Sequence, residues 1–423
     1  MQILSNIYNR GILVAMQGEF TFDVMHELGG GSLARAGVMS TPHGRIETPA
    51  FIVVGTKATV KAMVPEQVTA VHGQAVLANA YHLYLQPGHQ LIEQAGGLAK
   101  FMHWDGPTFT DSGGFQVLSL GSGFKKVLAM EPDAAVVQDV IAPARERRAF
   151  VDDDGVTFKS HIDGSRHRFT PEHSINVQHG IGADIMMAFD ELTSIMDPYD
   201  YQVEALTRTH AWADRCLTRI AELRAQHPDR PYQALFGVLQ GAQYEDLRRQ
   251  TARYLGERDF DGFGIGGALE KSQLGTIVRW VNEELPAGKP KHLLGISEPD
   301  DIFVAIENGV DTFDCVSPTR VGRNGGAYTY HGRVNITAAR YKADFSPLID
   351  GCACYTCQNY TTAYVHHLFR AGERLAATLM SIHNEHFIIK LVDDIRASIL
   401  DGSFMELKRQ WLGDYYAKKN SLA

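Results

Sequence analysis

Eight short apolar runs, each rich in strand-forming residues, alternate along the chain with longer stretches of helical periodicity. The runs begin at Pro49, Ala75, Pro107, Ala183, Ala234, Gly262, His292 and Asp311. Continuous apolar strands between helices are typical of a parallel sheet that is buried on both faces. Eight such units fit a (β/α)8 TIM barrel better than a doubly wound open sheet, which usually has fewer strands. The sequence therefore predicts an α/β barrel, with the open sheet as the alternative.

Two segments interrupt this alternation. Between Gly121 and Arg168 the spacing is longer, and FVDDDGVTFKSHIDGSRHRFTP reads as strand–turn–strand with tight Asp-Gly turns, which predicts a β-hairpin insertion. The second interruption follows Asp314 and contains the motif GCACYTCQNY. Residues 1–20 are interpreted as an N-terminal extension and residues 21–423 as one catalytic barrel domain.

Composition narrows the class of protein. The chain has 423 residues, 44% hydrophobic and 21% charged, as in ordinary soluble globular proteins. Its net charge of −9 argues against a protein that coats nucleic acid through charge alone, but it permits a local basic groove. No apolar run reaches the length of about 18 residues that a membrane-spanning helix needs, and the N-terminus lacks the charged leader of a signal peptide. We therefore expect a cytoplasmic protein without a membrane segment.

The cysteines favour a metal site. The chain has five, too few for a secreted disulfide scaffold, and Cys352, Cys354 and Cys357 form a C-x-C-x2-C cluster that differs from the thioredoxin redox pattern. Three closely spaced thiolates suit tetrahedral zinc, which needs a fourth ligand. Spacing alone does not choose that ligand among the nearby histidines, which are His366, His367, His383 and His386.

Polar residues mark the ends of the predicted strands, where TIM barrels carry their active sites. These ends carry Asp111, Asp190, Gln240, Gly266, Gly267 and Asp314, with Asn79 and His82 beyond the second strand. Two carboxylates on one rim suit displacement at an anomeric carbon, where one attacks and the other transfers protons. Acid and amide side chains can pair with the edge of a purine, and an aromatic ring can stack on its face. Singly, each acid is also explained as a helix cap or turn residue.

An ordered set of motifs resembles the tRNA-guanine transglycosylases, in their bacterial form, from Phe20 to Phe404. The motifs are TDSGGFQVLSLG, MAFDE, FGVLQG, GIGG, LLGISEPDD, FDCVSPTRVGRNG and CACYTCQNYTTAYVHHLFRAGE. The resemblance implies a (β/α)8 barrel with an inserted zinc-binding subdomain at residues 337–395. It also implies exchange of the wobble guanine of tRNAs with GUN anticodons for 7-aminomethyl-7-deazaguanine, the queuosine precursor. Homodimers and contact with the tRNA anticodon loop are implied as well.

The same resemblance assigns roles to individual residues. Asp314 is implied as the nucleophile and Asp111 as the general acid and base. Base binding is implied for Ser112, Gly113, Gly114, Phe115, Asp190, Gln240, Gly267 and Leu294. RNA contact is implied for Gly295, Ile296, Ser297, Glu298, Pro299, Asp300 and Asp301, and for Thr319, Arg320, Val321, Gly322 and Arg323. One structural Zn²⁺ per chain is implied on Cys352, Cys354, Cys357 and His383.

Two features leave alternatives open. The segment GGALEKSQ is shorter than the usual family pattern. In the resemblance, Glu270 is the counterpart of a glutamate that orients the backbone that reads the base. Because the segment departs from the family pattern, queuine is the alternative incoming base. A non-catalytic partner subunit and a zinc-bearing RNA-binding module are the alternative functions. The presence of both Asp111 and Asp314 argues against each of them.

Overall fold

The structure, a computed structural model, describes residues 20–115, 149–267 and 271–417. Residues 1–19 of the predicted extension, the unusual stretch 121–148 and Glu270 therefore lie outside the described residues. The strands are β1 (Thr21–Gly29), β2 (Ser32–Thr41), β3 (Gly44–Thr48), β4 (Ala50–Val54), β5 (Val76–Ala78), β6 (Thr108–Thr110), β7 (Ala149–Asp152), β8 (Gly155–Lys159), β9 (Arg166–Phe169), β10 (Ile185–Met187), β11 (Ala234–Leu239), β12 (Gly262–Ile265), β13 (Lys291–Leu293), β14 (Thr312–Cys315), β15 (Gly326–Thr329) and β16 (Gly332–Asn335).

Helices follow or separate these strands. They are α1 (Pro65–Ala70), α2 (Ala80–Leu85), α3 (His89–Gln94), α4 (Leu98–Met102), α5 (Pro171–Ile181), α6 (Tyr199–Gln226), α7 (Glu245–Gly256), α8 (Leu274–Glu284), α9 (Pro299–Glu307), α10 (Ser317–Arg323), α11 (Tyr355–Asn359), α12 (Thr362–Ala371), α13 (Leu375–Asp401) and α14 (Phe404–Ala417). Short 3-10 turns occur at Lys271–Gln273 and Ala339–Tyr341. No helix within the described ranges combines the length and the apolar character needed to cross a membrane.

Eight strands close into one parallel barrel in the order β10-β11-β12-β13-β14-β4-β5-β6. Closure joins β6 to β10, with Phe109 opposite Ile185. Each of the eight predicted apolar runs supplies one barrel strand, so the predicted barrel is confirmed and the open sheet is wrong. Buried side chains lie on both faces of these strands, as the continuous apolar runs predicted; all six residues of β11 are buried.

Local sequence signals explain where the helices begin and end. At α5 the Thr170 hydroxyl accepts a hydrogen bond from the backbone N–H of His173, Pro171 occupies the first turn, and Gly182 ends the helix with φ of 75°. A hydroxyl cap, a first-turn proline and a left-handed glycine are the standard signals for the two ends of a helix.

Three smaller sheets surround the barrel. Strands β7, β8 and β9 form an antiparallel sheet, which confirms the predicted hairpin insertion. Strands β15 and β16 form a hairpin after the last barrel strand and α10, just before the residues of the predicted subdomain. The boundary of that subdomain at residues 337–395 stays a prediction.

The sequence analysis missed the antiparallel sheet of β1, β2 and β3, which precedes the barrel. Met39 and Ile46 of this sheet join the same buried cluster as Ile52 and Phe109 of the barrel. The sheet is fixed by a bidentate ion pair, in which Arg35 Nε and Nη2 donate to the two oxygens of Asp311 at 2.8 and 2.7 Å. Asp311 immediately precedes β14, so the sheet covers the N-terminal end of the barrel.

Removing one partner of this buried pair should destabilise the fold. Their side chains are 6% and 0% exposed, so Arg35→Met leaves the Asp311 charge buried without its guanidinium. We expect the free energy of unfolding, measured with urea, to fall by about 3–5 kcal/mol. The control is Lys390→Met, which removes the exposed ion pair with Asp394 and should cost less than about 1 kcal/mol. Equal losses in the two variants would contradict the assigned importance of the buried pair.

Candidate active site and metal centre

Six neighbouring strands bring the predicted site residues to one rim of the barrel. These strands are β6, β10, β11, β12, β13 and β14, in that spatial order. Residues 111–115 follow β6, and Asp190, Gln240, Gly267 and Leu294 follow the next four strands. Asp314 lies on β14 itself. Because all six strands are parallel, their carboxyl ends face the same side, as the strand-end analysis predicted.

Asp111 is held by the neighbouring strand end. The Asn79 side chain donates to Asp111 Oδ2 at 2.5 Å, and the backbone N–H of Ala80 donates to Oδ1 at 2.7 Å. Both donors come from the segment between β5 and α2. Two donors on the two oxygens fix the plane of the carboxyl group, which remains partly exposed at the rim.

Asp190 is the centre of a buried polar group. It accepts hydrogen bonds from Ser112 Oγ at 3.0 Å and from Gln240 Nε2 at 2.6 Å. Burial raises the pKa of Asp190 to about 6, although both hydrogen bonds favour the charged form. Gln240 Oε1 is buried and has no hydrogen-bond partner among the described residues. The group therefore offers donors and acceptors in a place from which water is excluded.

Two glycines allow the backbone to come close to these side chains. A Cβ atom on Gly114 would lie 2.8 Å from the carbonyl oxygen of Asp190. A Cβ atom on Gly267, where φ is +93°, would lie 2.8 Å from Gln240 Oε1. Phe115, which follows β6, is exposed, and Leu294, which follows β13, is partly exposed. The rim thus combines an acid–amide pair, open backbone and two apolar side chains.

Arg248 supports this rim from below, and the sequence analysis missed it. The residue lies on α7 and is fully buried, which lowers its pKa to about 9. Its Nε donates to the Ala242 carbonyl and its Nη1 to the Gly266 carbonyl, each at 2.8 Å. These carbonyls flank Gln240 and Gly267, so one guanidinium fixes the loops after β11 and β12. The sequence signal that could have identified Arg248 was a single arginine on the apolar face of an amphipathic helix.

Asp314 is oriented by its neighbours through one oxygen. The backbone N–H of Gly295 lies 3.3 Å from Asp314 Oδ1, and His292 Nε2 lies 3.2 Å from the same atom. The Asp314 side chain is 13% exposed, so it can be reached from the rim. The sequence analysis also missed His292; the signal that could have found it was a histidine at the start of the apolar run HLLGIS.

The loop from Gly295 to Asp301 is largely buried. Ile296, Ser297, Glu298, Pro299 and Asp301 are all buried, whereas Gly295 and Asp300 are partly exposed. Glu298 is paired with Arg333, and Lys271 Nζ lies 3.0 Å from Asp300 and 3.2 Å from Asp301. These ion pairs fix the loop against its surroundings.

Helix α10 follows the Asp314 strand and has an exposed and a packed side. Arg320 is exposed and Arg323 and Val321 are partly exposed, whereas Thr319 and Gly322 are buried. A Cβ atom on Gly322 would lie 2.9 Å from the Met380 carbonyl oxygen, so α10 packs closely on α13. Burial, and to a smaller extent the charge of the neighbouring Arg320, lower the pKa of Arg323.

The cysteine cluster forms a four-residue group that could hold a metal ion. One ligand atom from each of Cys352, Cys354, Cys357 and His383 lies within 4.8 Å of the others. His383 Nδ1 lies 3.5 Å from Cys354 Sγ and 3.4 Å from Cys357 Sγ, while His383 Nε2 donates to the Tyr328 carbonyl at 3.0 Å. In a neutral ring that hydrogen bond places the proton on Nε2 and leaves Nδ1, which is directed at the sulfurs, available to bind a metal ion.

Close contacts between the four side chains shift their pKa values. Hydrogen bonds from Cys354 and Cys357 lower the pKa of the Cys352 thiol. Burial opposes the charged form of His383, but hydrogen bonds with Cys352 and Cys357 raise its pKa to about 9. The metal-free group therefore holds protons that a metal ion would displace.

Among the other candidate histidines, His366 has a structural partner. Its Nδ1 lies 2.8 Å from the Ile336 carbonyl oxygen, and the ring is buried. His367 is exposed on the same helix. His383, the histidine that the resemblance implied, is the one grouped with the three cysteines.

Comparison with known proteins identifies the family to which the chain belongs. The family model described as queuine tRNA-ribosyltransferase matches residues 30–417. The chain belongs to the queuine tRNA-ribosyltransferase family. A relative of that name from Roseiflexus sp. (strain RS-1) is 47% identical over 395 residues, covering 90% of this chain and 96% of the relative. Relatives of the same name from Thermoanaerobacter pseudethanolicus and Pelotomaculum thermopropionicum are 46% and 45% identical, each covering 95% of the relative.

Membership confirms the resemblance that the motifs carried and makes the chain a glycosyltransferase-type, tRNA-modifying enzyme. The queuine tRNA-ribosyltransferase family model spans both the barrel rim and the cysteine cluster. The roles of individual residues in the reaction remain predictions at this point.

Protonation of Asp190 should appear in the pH dependence of stability. The pKa of Asp190 is about 6 in the folded protein, which is above its value in the unfolded chain. The stabilisation that its protonation contributes is therefore complete below the unfolded pKa and is lost as the pH rises through about 6. We expect the unfolding free energy of Asp190→Asn, relative to wild type, to increase by about 3 kcal/mol between about pH 4 and pH 8. The matched control is Asp259→Asn, at a fully exposed position, which should show no such change. If the difference in unfolding free energy between Asp190→Asn and wild type stays constant with pH, the assigned burial of Asp190 is contradicted.

Metal content should depend on His383 and not on the adjacent histidines. We expect about one metal ion per chain in the wild type and a large loss in His383→Ala, because three sulfurs alone leave the coordination shell incomplete. His367→Ala is the control and should keep its metal. Elemental analysis of purified proteins measures this. Full metal content in His383→Ala, together with loss in His386→Ala, would show that the fourth ligand is wrongly assigned.

Proposed function

We propose that this enzyme exchanges the wobble guanine of tRNAs with GUN anticodons for 7-aminomethyl-7-deazaguanine by double displacement. The observation that carries the proposal is the placement of two carboxylates, Asp111 and Asp314, on one barrel rim with the Asp190–Gln240 pair between them in strand order. Paired carboxylates supply a nucleophile and an acid–base group, and the acid–amide pair matches the hydrogen-bonding edge of a guanine.

The chemistry requires no redox cofactor. An oxygen of Asp314 attacks the ribose anomeric carbon, the bond to guanine breaks, and Asp111 supplies the proton that the leaving base takes. The ribose is then an ester of Asp314. Asp111 removes a proton from the incoming base, the base attacks the same carbon, and the ester bond breaks. Two inversions give net retention.

Base recognition follows from the buried polar group. Asp190 accepts N–H groups of the purine edge, Gln240 provides an unpaired acceptor and an amide donor, and the Gly267 backbone approaches closely because no Cβ intervenes. Phe115 and Leu294 bound the faces of the base, and Ser112, Gly113 and Gly114 form the turn around it. The same pocket serves the leaving and the incoming base. Glu270, which bears on the choice of incoming base, lies outside the described residues.

RNA binding is local in this proposal. Arg320 and Arg323 on α10 contact the phosphates or bases of the anticodon loop, and the exposed parts of Val321, Gly295 and Asp300 border the same entrance. The buried members of the two segments, Thr319, Gly322, Ile296, Ser297, Glu298, Pro299 and Asp301, hold that surface in place. A single-stranded loop can present a splayed base at small cost.

The metal in this proposal is one structural Zn²⁺ per chain, because Cys3His is a closed tetrahedral zinc set with no position for a substrate.

We also propose a cytoplasmic homodimer. Tyr355 and Tyr364 support it, since both rings are exposed next to the metal centre and one surface with several exposed aromatic side chains suits a protein interface.

Labelled guanine tests the proposal. Wild type should incorporate it into tRNA with a GUN anticodon, whereas Asp314→Asn should lose at least about 1,000-fold in rate, because an amide is a poor nucleophile. The exposed Asp259→Asn variant is the control and should retain full activity. Substantial incorporation by Asp314→Asn would show that the nucleophile is wrongly assigned. Competition with labelled guanine then identifies the incoming base. We expect 7-aminomethyl-7-deazaguanine to compete, and competition by queuine alone would overturn the assignment of the incoming base.

A further inference from the structure

We propose that His292 is a positioning residue that orients the Asp314 carboxylate and leaves Oδ2 as the attacking oxygen. This rests on the proposed function, in which Asp314 is the nucleophile. The inference adds the atom that attacks and the side chain that selects it.

The His292 ring is placed rigidly between two side chains of the neighbouring strand. It is fully buried on β13, its Nδ1 lies 2.9 Å from Thr312 Oγ1, and its Nε2 lies 3.2 Å from Asp314 Oδ1. The ring also lies against Phe109 from across the barrel, with centroids 5.5 Å apart. A buried ring with contacts on its face and at both nitrogens has little freedom to rotate.

The chemistry of the partners assigns the hydrogen atoms. An ionised carboxylate only accepts hydrogen bonds, so Nε2 must carry the proton that Asp314 accepts. In a neutral ring Nδ1 is then an acceptor, and the Thr312 hydroxyl donates to it. The Asp314 carboxylate therefore selects the tautomer of His292, and the Thr312 hydroxyl holds the ring at its other nitrogen.

Both hydrogen bonds to Asp314 end on the same oxygen. Oδ1 accepts from His292 and from the Gly295 backbone N–H, whereas Oδ2 accepts no hydrogen bond from the described residues. An oxygen without donors keeps its electron density for attack, and the donors at Oδ1 fix the direction in which Oδ2 points. Oδ2 forms the bond to the anomeric carbon, and Oδ1 becomes the ester carbonyl.

The same arrangement assists the second displacement. When the incoming base breaks the ester bond, negative charge returns to the carboxylate. Hydrogen bonds at Oδ1 strengthen as that charge returns, because bonds to an ionised acceptor are stronger than bonds to a neutral carbonyl. His292 and Gly295 therefore stabilise the leaving carboxylate in the step that releases product.

Variants at two positions test this role. His292→Phe keeps the ring but removes the donor, and His292→Gln retains an N–H donor in place of Nε2–H. Thr312→Val keeps His292 but removes the hydroxyl that holds its ring at Nδ1. Because a hydrogen bond to a charged group contributes about 1.5–3 kcal/mol, we expect His292→Phe to lower kcat about 10- to 100-fold, with KM for tRNA and for guanine changed less than about twofold. His292→Gln should recover most of that loss, and Thr312→Val should show a smaller fall in kcat.

The outcomes separate this inference from the proposed function. Wild-type kcat in His292→Phe, or equal losses in His292→Phe and His292→Gln, would overturn the positioning role. If the His292→Phe variant does not fold, Thr312→Val provides the test instead. An unchanged kcat in Thr312→Val would then overturn the positioning role of His292. Retained exchange in Asp314→Asn would instead remove the proposed nucleophile itself. A loss of exchange in Asp314→Asn with full activity in His292→Phe would contradict only the role of His292.

Discussion

The parallel pairing of β6 with β10 is the contact on which the candidate site depends. Phe109 and Ile185 face each other across this pair although more than 70 residues separate them in sequence. Closure places the Asp111 turn beside the strand end that carries Asp190, and the Ser112–Asp190 hydrogen bond joins the two. Without closure, Asp111 and the Asp190–Gln240 pair would lie at opposite edges of an open sheet.

A second constraint acts from outside the barrel. Helix α13 carries His383 in the metal group, and the next residue, Asn384, donates hydrogen bonds to the carbonyls of Pro318 and Gly326. Pro318 lies in α10, four residues after Asp314. Helix α13, which carries the candidate metal ligand His383, therefore also holds the segment that follows the candidate nucleophile. In the proposed function, the cysteine cluster has this structural role and the reaction takes place at the barrel rim.

The sequence predicted the strands and their polar ends because buried parallel strands are apolar throughout and leave a clear pattern. It could not choose among four histidines, since the choice depends on the Tyr328 carbonyl of a hairpin remote in sequence from His383. Arg248 and His292 were missed for a related reason: each is one polar residue in an apolar segment, and its partners are distant in sequence. The acids at Glu298 and Asp301 look like exposed loop residues in sequence, whereas ion pairs hold them in buried positions.

The central claim is that the ribose of the tRNA becomes attached to Asp314. Mapping the covalent adduct tests this most directly. The enzyme is mixed with tRNA in the absence of an incoming base, quenched in denaturant, and digested with nuclease and protease before mass spectrometry. The account predicts a ribonucleotide on the peptide that contains Asp314. A ribonucleotide on the peptide that contains Asp111, or no adduct under conditions where guanine exchange proceeds, would contradict it.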